Sequence, residues 1–239
     1  MTPTPLKPLT RAVLAEFLGT AFLVAIVVGS GIAAVRLSPG DVGLQLLQNS
    51  FATGAGLVAL ILAFGSVSGA HFNPVVSVVD WKLGGLSARA LAAYIPAQII
   101  GACAGSVIAN LMFDLDAINL STKIRSDSGL WLAEIVATVG LLLVIFGSTR
   151  VGNARATPFA VGAYIAAAYF FTSSTSFANP AVTIGRTLSD TFAGIDPSSV
   201  PAFIAAQLAG AVIGLVLILA LFPHFDATTV VVPPDQETS

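Results

Sequence analysis

Two Asn-Pro pairs, each set between long apolar stretches, constrain the fold of this chain more than any other feature. The sequence Ser-Gly-Ala-His-Phe-Asn-Pro-Val at 68–75 returns in altered form as Ser-Thr-Ser-Phe-Ala-Asn-Pro-Ala at 174–181. Asparagine is a strong helix N-cap and proline is well tolerated in the first helical turn, so each pair predicts the start of a helix. The pairs are Asn73-Pro74 and Asn179-Pro180.

The composition places the chain in a membrane. Apolar residues are 56% of the 239 residues, charged residues are 9%, and the mean hydropathy is +0.91, whereas soluble domains carry about 25% charged residues. A membrane-spanning helix needs about 20 residues, most of them apolar. We therefore predict an all-α integral membrane protein with a single transmembrane domain over residues 1–239. Its six spans are expected at about 12–35, 44–67, 86–113, 130–149, 157–174 and 199–222.

Charge and motif content exclude several classes of function. The net charge of −2 includes no polybasic tract, so no nucleic-acid partner is expected. The sequence shows no nucleophile with a histidine partner, no metal-ligand cluster and no glycine-rich phosphate loop, so we predict neither an enzyme nor a cofactor or metal site. The first apolar segment lacks a cleavage site and contains Glu16, so we interpret it as a retained helix.

Basic residues in the connections predict the orientation. Cytoplasmic connections carry an excess of Lys and Arg, and six basic residues fall on the N-terminal side against four on the other. This favours a cytoplasmic N-terminus and, with six spans, a cytoplasmic C-terminal tail that is expected to be disordered at its end. The two groups are Lys7, Arg11, Lys82, Arg89, Arg150 and Arg155, and Arg36, Lys123, Arg125 and Arg186.

The two halves of the chain repeat each other. An Ala-Glu-x-x-x-Thr pattern around Glu16 returns around Glu134, and a Gln-x-x-Gly-x-x-x-Gly pattern at Gln98 returns at Gln207. Three spans per repeat is an odd number, so the second repeat must cross the membrane in the opposite direction. We predict inverted repeats at about 11–113 and 130–222, with tails at 1–10 and 223–239.

The helices that follow the Asn-Pro pairs are too short to span a bilayer. The segments 73–83 and 179–190 rise 1.5 Å per residue, so each covers about 15 Å of a hydrocarbon core of about 30 Å. Entering from opposite faces, they would meet with their N-termini at the midplane, and their non-helical lead-ins must then line a cavity or be buried in protein. This geometry predicts a pore, whose two positive helix ends oppose cations.

Over about residues 11–222 the chain resembles the aquaporins, the major intrinsic protein family, on the strength of six spans, two half-helices, the two glutamates and both Asn-Pro motifs. The resemblance implies a right-handed helical bundle, one pore per subunit, and a homotetramer in a bilayer, here the bacterial inner membrane. It also implies that the amides of both asparagines donate hydrogen bonds to a passing solute. The motif residues are Asn73, Pro74, Val75, Asn179, Pro180 and Ala181.

Three buried ionisable residues have two interpretations each. Glu16 and Glu134 are functional-site candidates because acids are costly within a membrane. The resemblance favours a scaffold role, in which they accept hydrogen bonds from the loops before the half-helices, over a proton relay. His71 either anchors its loop or gates the pore by protonation near neutral pH.

The sequence departs from the family pattern at the outer constriction. Most aquaporins have arginine directly after the second Asn-Pro-Ala, and this chain has Val182. Arg186 lies four residues later on the same helix face; it either supplies a substitute arginine or pairs with Asp190 or with solvent. The filter positions carried over by spacing are Thr53, Ala167, Ser176 and Val182, none of them charged or aromatic.

These features predict a passive channel for water and small uncharged solutes. Glycerol-like polyols are the expected class, with neutral metalloid hydroxides such as arsenous acid or methylated arsenicals as further candidates, because a filter without the usual arginine resembles the bacterial, metalloid-associated aquaglyceroporin branch. The alternatives are an ion-coupled secondary transporter with discontinuous helices, a water-selective aquaporin, and a non-conducting adhesion protein.

Overall fold

The computed structural model describes residues 8–222, which form a bundle of eight α-helices. The predictions for the ends of both tails, 1–7 and 223–239, lie outside the described residues. The helices are α1 Pro8–Leu37, α2 Val42–Ser68, α3 Pro74–Leu83, α4 Ala88–Met112, α5 Ser128–Arg150, α6 Thr157–Phe171, α7 Pro180–Gly185 and α8 Val200–Leu221.

Six of these helices occupy the predicted spans. Five are long and apolar enough to cross a membrane. The sixth, α6, has 15 residues, which is about 22 Å at the rise of an α-helix, and a 3-10 turn at Ala154–Ala156 precedes it. The prediction of an all-α membrane bundle with six spans and two half-helices is confirmed.

Equivalent glycines hold corresponding helix pairs together in the two repeats. A Cβ added at Gly101 of α4 would lie 2.3 Å from the carbonyl oxygen of Phe17 in α1. In the second repeat, a Cβ at Gly210 of α8 would lie 2.9 Å from the carbonyl oxygen of Ile135 in α5. Small residues at these sites let the backbones approach closely, which is the usual basis of helix packing in membranes.

The first half-helix matches its prediction and the second is shorter than predicted. α3 has 10 residues, whereas α7 has six and continues only as a 3-10 turn at Arg186–Leu188. The carbonyls of Thr187 and Leu188 accept hydrogen bonds from Ser121 N at 2.9 Å and Asn119 N at 3.1 Å. The carbonyls that follow α7 are therefore hydrogen-bonded to the connection between α4 and α5, and α7 ends at Gly185 instead of continuing to residue 190.

Candidate pore

The two half-helices meet end to end through crossed hydrogen bonds between the repeats. The side-chain nitrogen of Asn73 donates to the carbonyl of Ala178 at 2.8 Å, and that of Asn179 donates to the carbonyl of Phe72 at 2.8 Å. Each asparagine Oδ1 also caps its own helix by accepting a main-chain N–H. An amide nitrogen carries two N–H groups, so each asparagine keeps one donor for a further partner.

The lead-in loops have a strained backbone. Positive φ angles, uncommon outside glycine, occur at Ala70, Phe72, Thr175, Ser176 and Ala178. Such conformations persist only where surrounding contacts over-determine them. Two buried glutamates provide those contacts, one for each loop.

Glu16 and Glu134 accept main-chain hydrogen bonds from the two loops. The Glu16 carboxylate accepts from the N–H of His71 at 3.0 Å and of Phe72 at 2.7 Å. Glu134 accepts in the same way from Phe177 and Ala178, each at 2.9 Å. These bonds are the contacts that the family resemblance implied for a scaffold role.

One glutamine completes each scaffold, and sequence reasoning assigned neither of the two a role. Gln98 donates to Glu16 at 2.7 Å and to Ser77 Oγ at 2.9 Å. Its counterpart Gln207 donates to Glu134 at 2.6 Å and to Thr183 Oγ1 at 2.9 Å. The signal was present in the repeat, because Gln98 and Gln207 begin the matching glycine patterns of α4 and α8.

A narrow central cavity runs past both asparagines. Its volume is about 60 Å³, enough for only a few water molecules, so a solute must shed most of its hydration to occupy it. Val75 and Ala181 of the two motifs are fully buried outside the lining. The cavity is lined by Leu23, Val27, Thr53, Leu57, Ile61, Ala70, His71, Phe72, Asn73, Val76, Leu141, Ile145, Val161, Ile165, Tyr169, Ser176, Phe177, Asn179, Val182 and Arg186.

The filter prediction for α6 is wrong by two residues. Thr53, Ser176 and Val182 line the cavity, but Ala167 is exposed on the outside of the bundle. Tyr169 lines the cavity instead, and its hydroxyl lies 3.1 Å from that of Thr53. Ile165 and Tyr169 lie one helical turn apart on the buried face of α6. The expectation at Ala167 is counted from the second Asn-Pro pair and so depends on the length of the loop between them.

Arg186 reaches the cavity and does not pair with Asp190 among the described residues. It is 2% exposed, its guanidinium carbon lies 3.5 Å from the ring centroid of Phe177, and its Nε donates to the carbonyl of Ala193. Asp190 instead accepts from the N–H of Thr122 at 2.9 Å. We call this end of the cavity the Arg186 mouth.

His71 marks the opposite end, the His71 mouth. Its Nδ1 lies 2.9 Å from Ser77 Oγ, and its Nε2 lies 3.5 Å from Asp80 Oδ2. The ring also packs edge-on against Tyr94 at a centroid distance of 5.6 Å. Asp80 is a further residue that sequence reasoning missed, although it is an acid in an apolar half-helix, 2% exposed.

The fold and this arrangement define a membrane channel built from two inverted repeats. The chain belongs to the major intrinsic protein family, whose model matches residues 5–177. Members of this family are channels rather than enzymes.

Known proteins agree with this assignment. The chain is 51% identical over 209 residues to the aquaglyceroporin AqpS of Rhizobium meliloti, covering 87% of this chain and 89% of the relative. It is 30% identical over 234 residues to the aquaporin AqpM of Methanothermobacter thermautotrophicus, covering 86% and 94% of the two chains. The X-ray structure of the aquaglyceroporin from Plasmodium falciparum shares the fold, with a TM-score of 0.71, 21% identity and coverage of 90% and 98%.

Proposed function

We propose that the protein is a passive channel for water and small uncharged solutes that carry hydroxyl groups, with glycerol-like polyols as the main class. The observation that carries this proposal is the pair of asparagine amides in the wall of a cavity of about 60 Å³. Each amide keeps one N–H donor for a passing oxygen, which replaces a hydrogen bond that the solute loses with its water. The 51% identity to a protein named an aquaglyceroporin supports the same class of solute.

The constriction at the Arg186 mouth suits a molecule with both polar and apolar surface. Thr53 and Tyr169 supply hydroxyl groups, Arg186 supplies N–H donors, and Phe177 and Val182 supply apolar wall. A polyol offers hydroxyl groups to the first set and C–H groups to the second. Neutral metalloid hydroxides, such as arsenous acid and methylated arsenicals, have a similar pattern of hydroxyl groups, and we include them in the proposed solute range.

Arg186 takes the place of the missing filter arginine in this proposal. Val182 lies at the position that is arginine in most aquaporins, and Arg186 lies one helical turn later with its Nε bonded to a carbonyl. Among the hydrogen bonds of residues 8–222, neither Nη atom of Arg186 is engaged. The guanidinium therefore retains donors for solute and keeps a positive charge in the wall, which disfavours cations.

Passive conduction is favoured over coupled transport because the repeats are joined across the midplane. Alternating access requires one repeat to move against the other. The crossed bonds of Asn73 and Asn179 connect the two lead-in loops on the cavity wall. The two acids of the repeated pattern, Glu16 and Glu134, accept N–H donors from those loops and are engaged in holding them. We further propose a homotetramer in the bacterial cell membrane, with both termini cytoplasmic and the Arg186 mouth outside.

The test is stopped-flow light scattering on proteoliposomes without a gradient of Na⁺ or H⁺. We expect fast water and glycerol flux for the wild type, with arsenous acid as a third solute. Val182→Arg should suppress glycerol flux and keep water flux, because it adds a second guanidinium to the constriction, whereas Val182→Leu is the control for size without charge. Water flux alone in the wild type would indicate a water-selective channel, and flux of neither solute would overturn the proposal.

A further inference from the structure

A second buried arginine lies at the Arg186 mouth, on a part of the chain that sequence analysis used only for orientation. Arg125 belongs to the connection between α4 and α5 and is 7% exposed. Its guanidinium carbon lies 5.0 Å from the ring centroid of Phe177, the ring that Arg186 contacts at 3.5 Å. Two arginines from distant parts of the sequence therefore contact one aromatic ring in the cavity wall.

Hydrogen bonds fix Arg125 to three other segments. Its main-chain N–H donates to Ser199 Oγ at 2.9 Å, its Nε donates to the carbonyl of Gly194 at 3.0 Å, and its Nη1 donates to the carbonyl of Ser174 at 3.3 Å. Ser174 begins the lead-in loop that carries Phe177 and Asn179. Arg125 thus connects this loop to the segments before α8.

The charge of Arg125 has no direct acidic partner. No carboxylate among residues 8–222 lies within 4.0 Å of its guanidinium. Burial lowers the pKa of Arg125 to about 10, so the group stays charged at neutral pH. Cations buried without a contacting carboxylate are costly; here carbonyl oxygens and an aromatic face contact the guanidinium, and Glu134 favours its charged form from a longer distance.

We propose that Arg125 is a positioning residue for solute selection: it holds Phe177 in place beside Arg186 and adds a second positive charge at the Arg186 mouth. The proposal rests on the channel function proposed above. The main-chain N–H of Phe177 donates to Glu134, and Arg125 contacts the ring. Both the backbone and the side chain of Phe177 are therefore fixed. Selection of solute and exclusion of cations then depend on a residue outside the cavity lining.

The experiment compares Arg125→Gln and Arg125→Lys with the wild type in proteoliposomes. Two readouts are measured: the ratio of glycerol to water permeability by light scattering, and K⁺ and H⁺ leak under an imposed potential with a voltage-sensitive or pH-sensitive dye. Arg36→Gln is the matched control, because Arg36 is an exposed arginine at the same end of the bundle, where α1 ends.

We expect Arg125→Gln to change the glycerol-to-water ratio and to raise the cation leak on the order of tenfold, as loss of one nearby charge predicts. Arg125→Lys should keep the leak low, since its charge is retained, and still alter the ratio, since the Nε and Nη1 hydrogen bonds of the guanidinium to Gly194 and Ser174 are lost. A double variant with Arg186→Gln should be non-additive, because both arginines act on Phe177.

Unchanged leak and unchanged ratio in Arg125→Gln, with a wild-type melting temperature, would overturn the proposal, as would an equal leak in Arg36→Gln. If Arg125→Gln does not fold, Arg125→Lys decides: a wild-type ratio in that variant contradicts the positioning role. A wild type that conducts neither solute contradicts the channel function itself, so the two failures are distinguishable.

Discussion

Asp80 and Arg186 occupy equivalent positions in the two repeats, each seven residues after the half-helix asparagine, and one is an acid where the other is a base. Each packs against the residue two positions before that asparagine. Asp80 Oδ2 lies 3.5 Å from His71 Nε2, and the Arg186 guanidinium carbon lies 3.5 Å from the Phe177 ring centroid. The inverted repeat therefore places residues of opposite chemistry at equivalent positions of the two mouths, with Asp80 inside α3 and Arg186 in the 3-10 turn after α7.

This opposition predicts that only one mouth controls cation exclusion. Arg186→Gln should raise K⁺ conductance, because a unit charge about 5 Å from a passing ion contributes about 3 kcal/mol at an effective dielectric constant of about 20. Asp80→Asn replaces an acid with a neutral amide and should not raise the K⁺ conductance. Currents across planar bilayers measure both variants. Equal conductance in the two would show that exclusion resides at the half-helix ends instead.

The position of Tyr169 in the cavity lining predicts that this residue sets the width of the constriction. Tyr169→Ala removes a cavity-lining ring and its contact with Thr53, so glycerol permeability should rise by about threefold or more relative to water. Ala167→Leu adds volume on the exposed face of the same helix and should leave the ratio unchanged. Stopped-flow light scattering compares them. A stronger effect at Ala167 than at Tyr169 would contradict the described register.

The surroundings of Lys123, beside the Arg186 mouth, predict that the stability of the protein depends on pH. Desolvation lowers its pKa from the ordinary value of 10.5 to about 8, and the charges of Arg125 and Arg186 act in the same direction. The folded protein then binds fewer protons than the unfolded chain between about pH 8 and 10.5, so this group increases stability as pH rises through that window. Below pH 8 the lysine is charged in both the folded and the unfolded state, so its desolvation and its repulsion by the two arginines lower the stability of the folded protein.

Acetylation rates of Lys123, followed by peptide mass spectrometry across pH, measure this midpoint directly. The wild type should titrate near pH 8, and Arg125→Gln should titrate higher because one repelling charge is gone. A wild-type midpoint near 10.5, or one that Arg125→Gln leaves in place, would contradict the described surroundings of the amine.

The close contact of α1 and α4 predicts a stability difference between two glycines. Gly101→Ala places a Cβ 2.3 Å from the carbonyl oxygen of Phe17, and overpacking of this kind costs about 1–3 kcal/mol. Gly43→Ala lies in an exposed first turn of α2, with only an ordinary contact at 3.5 Å. It should be neutral or stabilising, by up to about 1 kcal/mol. Thermal unfolding in detergent compares the two, and equal melting temperatures would be inconsistent with this packing.

The half-helices were predictable because their signals are local. Asparagine as a cap and proline in the first turn act within one turn of helix. Comparing the length of each segment with the bilayer thickness then indicates that neither can span the membrane. The scaffold was predictable from the repeat, since Glu16 and Glu134 recur in the same pattern. Each of these inferences needed only nearby residues or a comparison of the two halves.

The errors and omissions depend on contacts between distant segments. The expectation at Ala167 depends on counting back through the irregular loop before the second Asn-Pro pair, and the structure places that residue on the exposed face of α6. The end of α7 is set by hydrogen bonds from the α4–α5 connection, and Arg125 lies in that same connection. A connection without periodic pattern gives no sequence signal of where its side chains will lie.

The crossed amide bonds of Asn73 and Asn179 have a consequence for the cell. A channel whose two repeats are hydrogen-bonded to each other at the midplane has no alternating-access cycle that could couple flux to an energy source. Flux therefore follows the solute gradient in either direction. Net uptake then requires that chemistry inside the cell consume or modify the solute, and net export requires that chemistry supply it. The direction of traffic is therefore decided by metabolism and not by the protein.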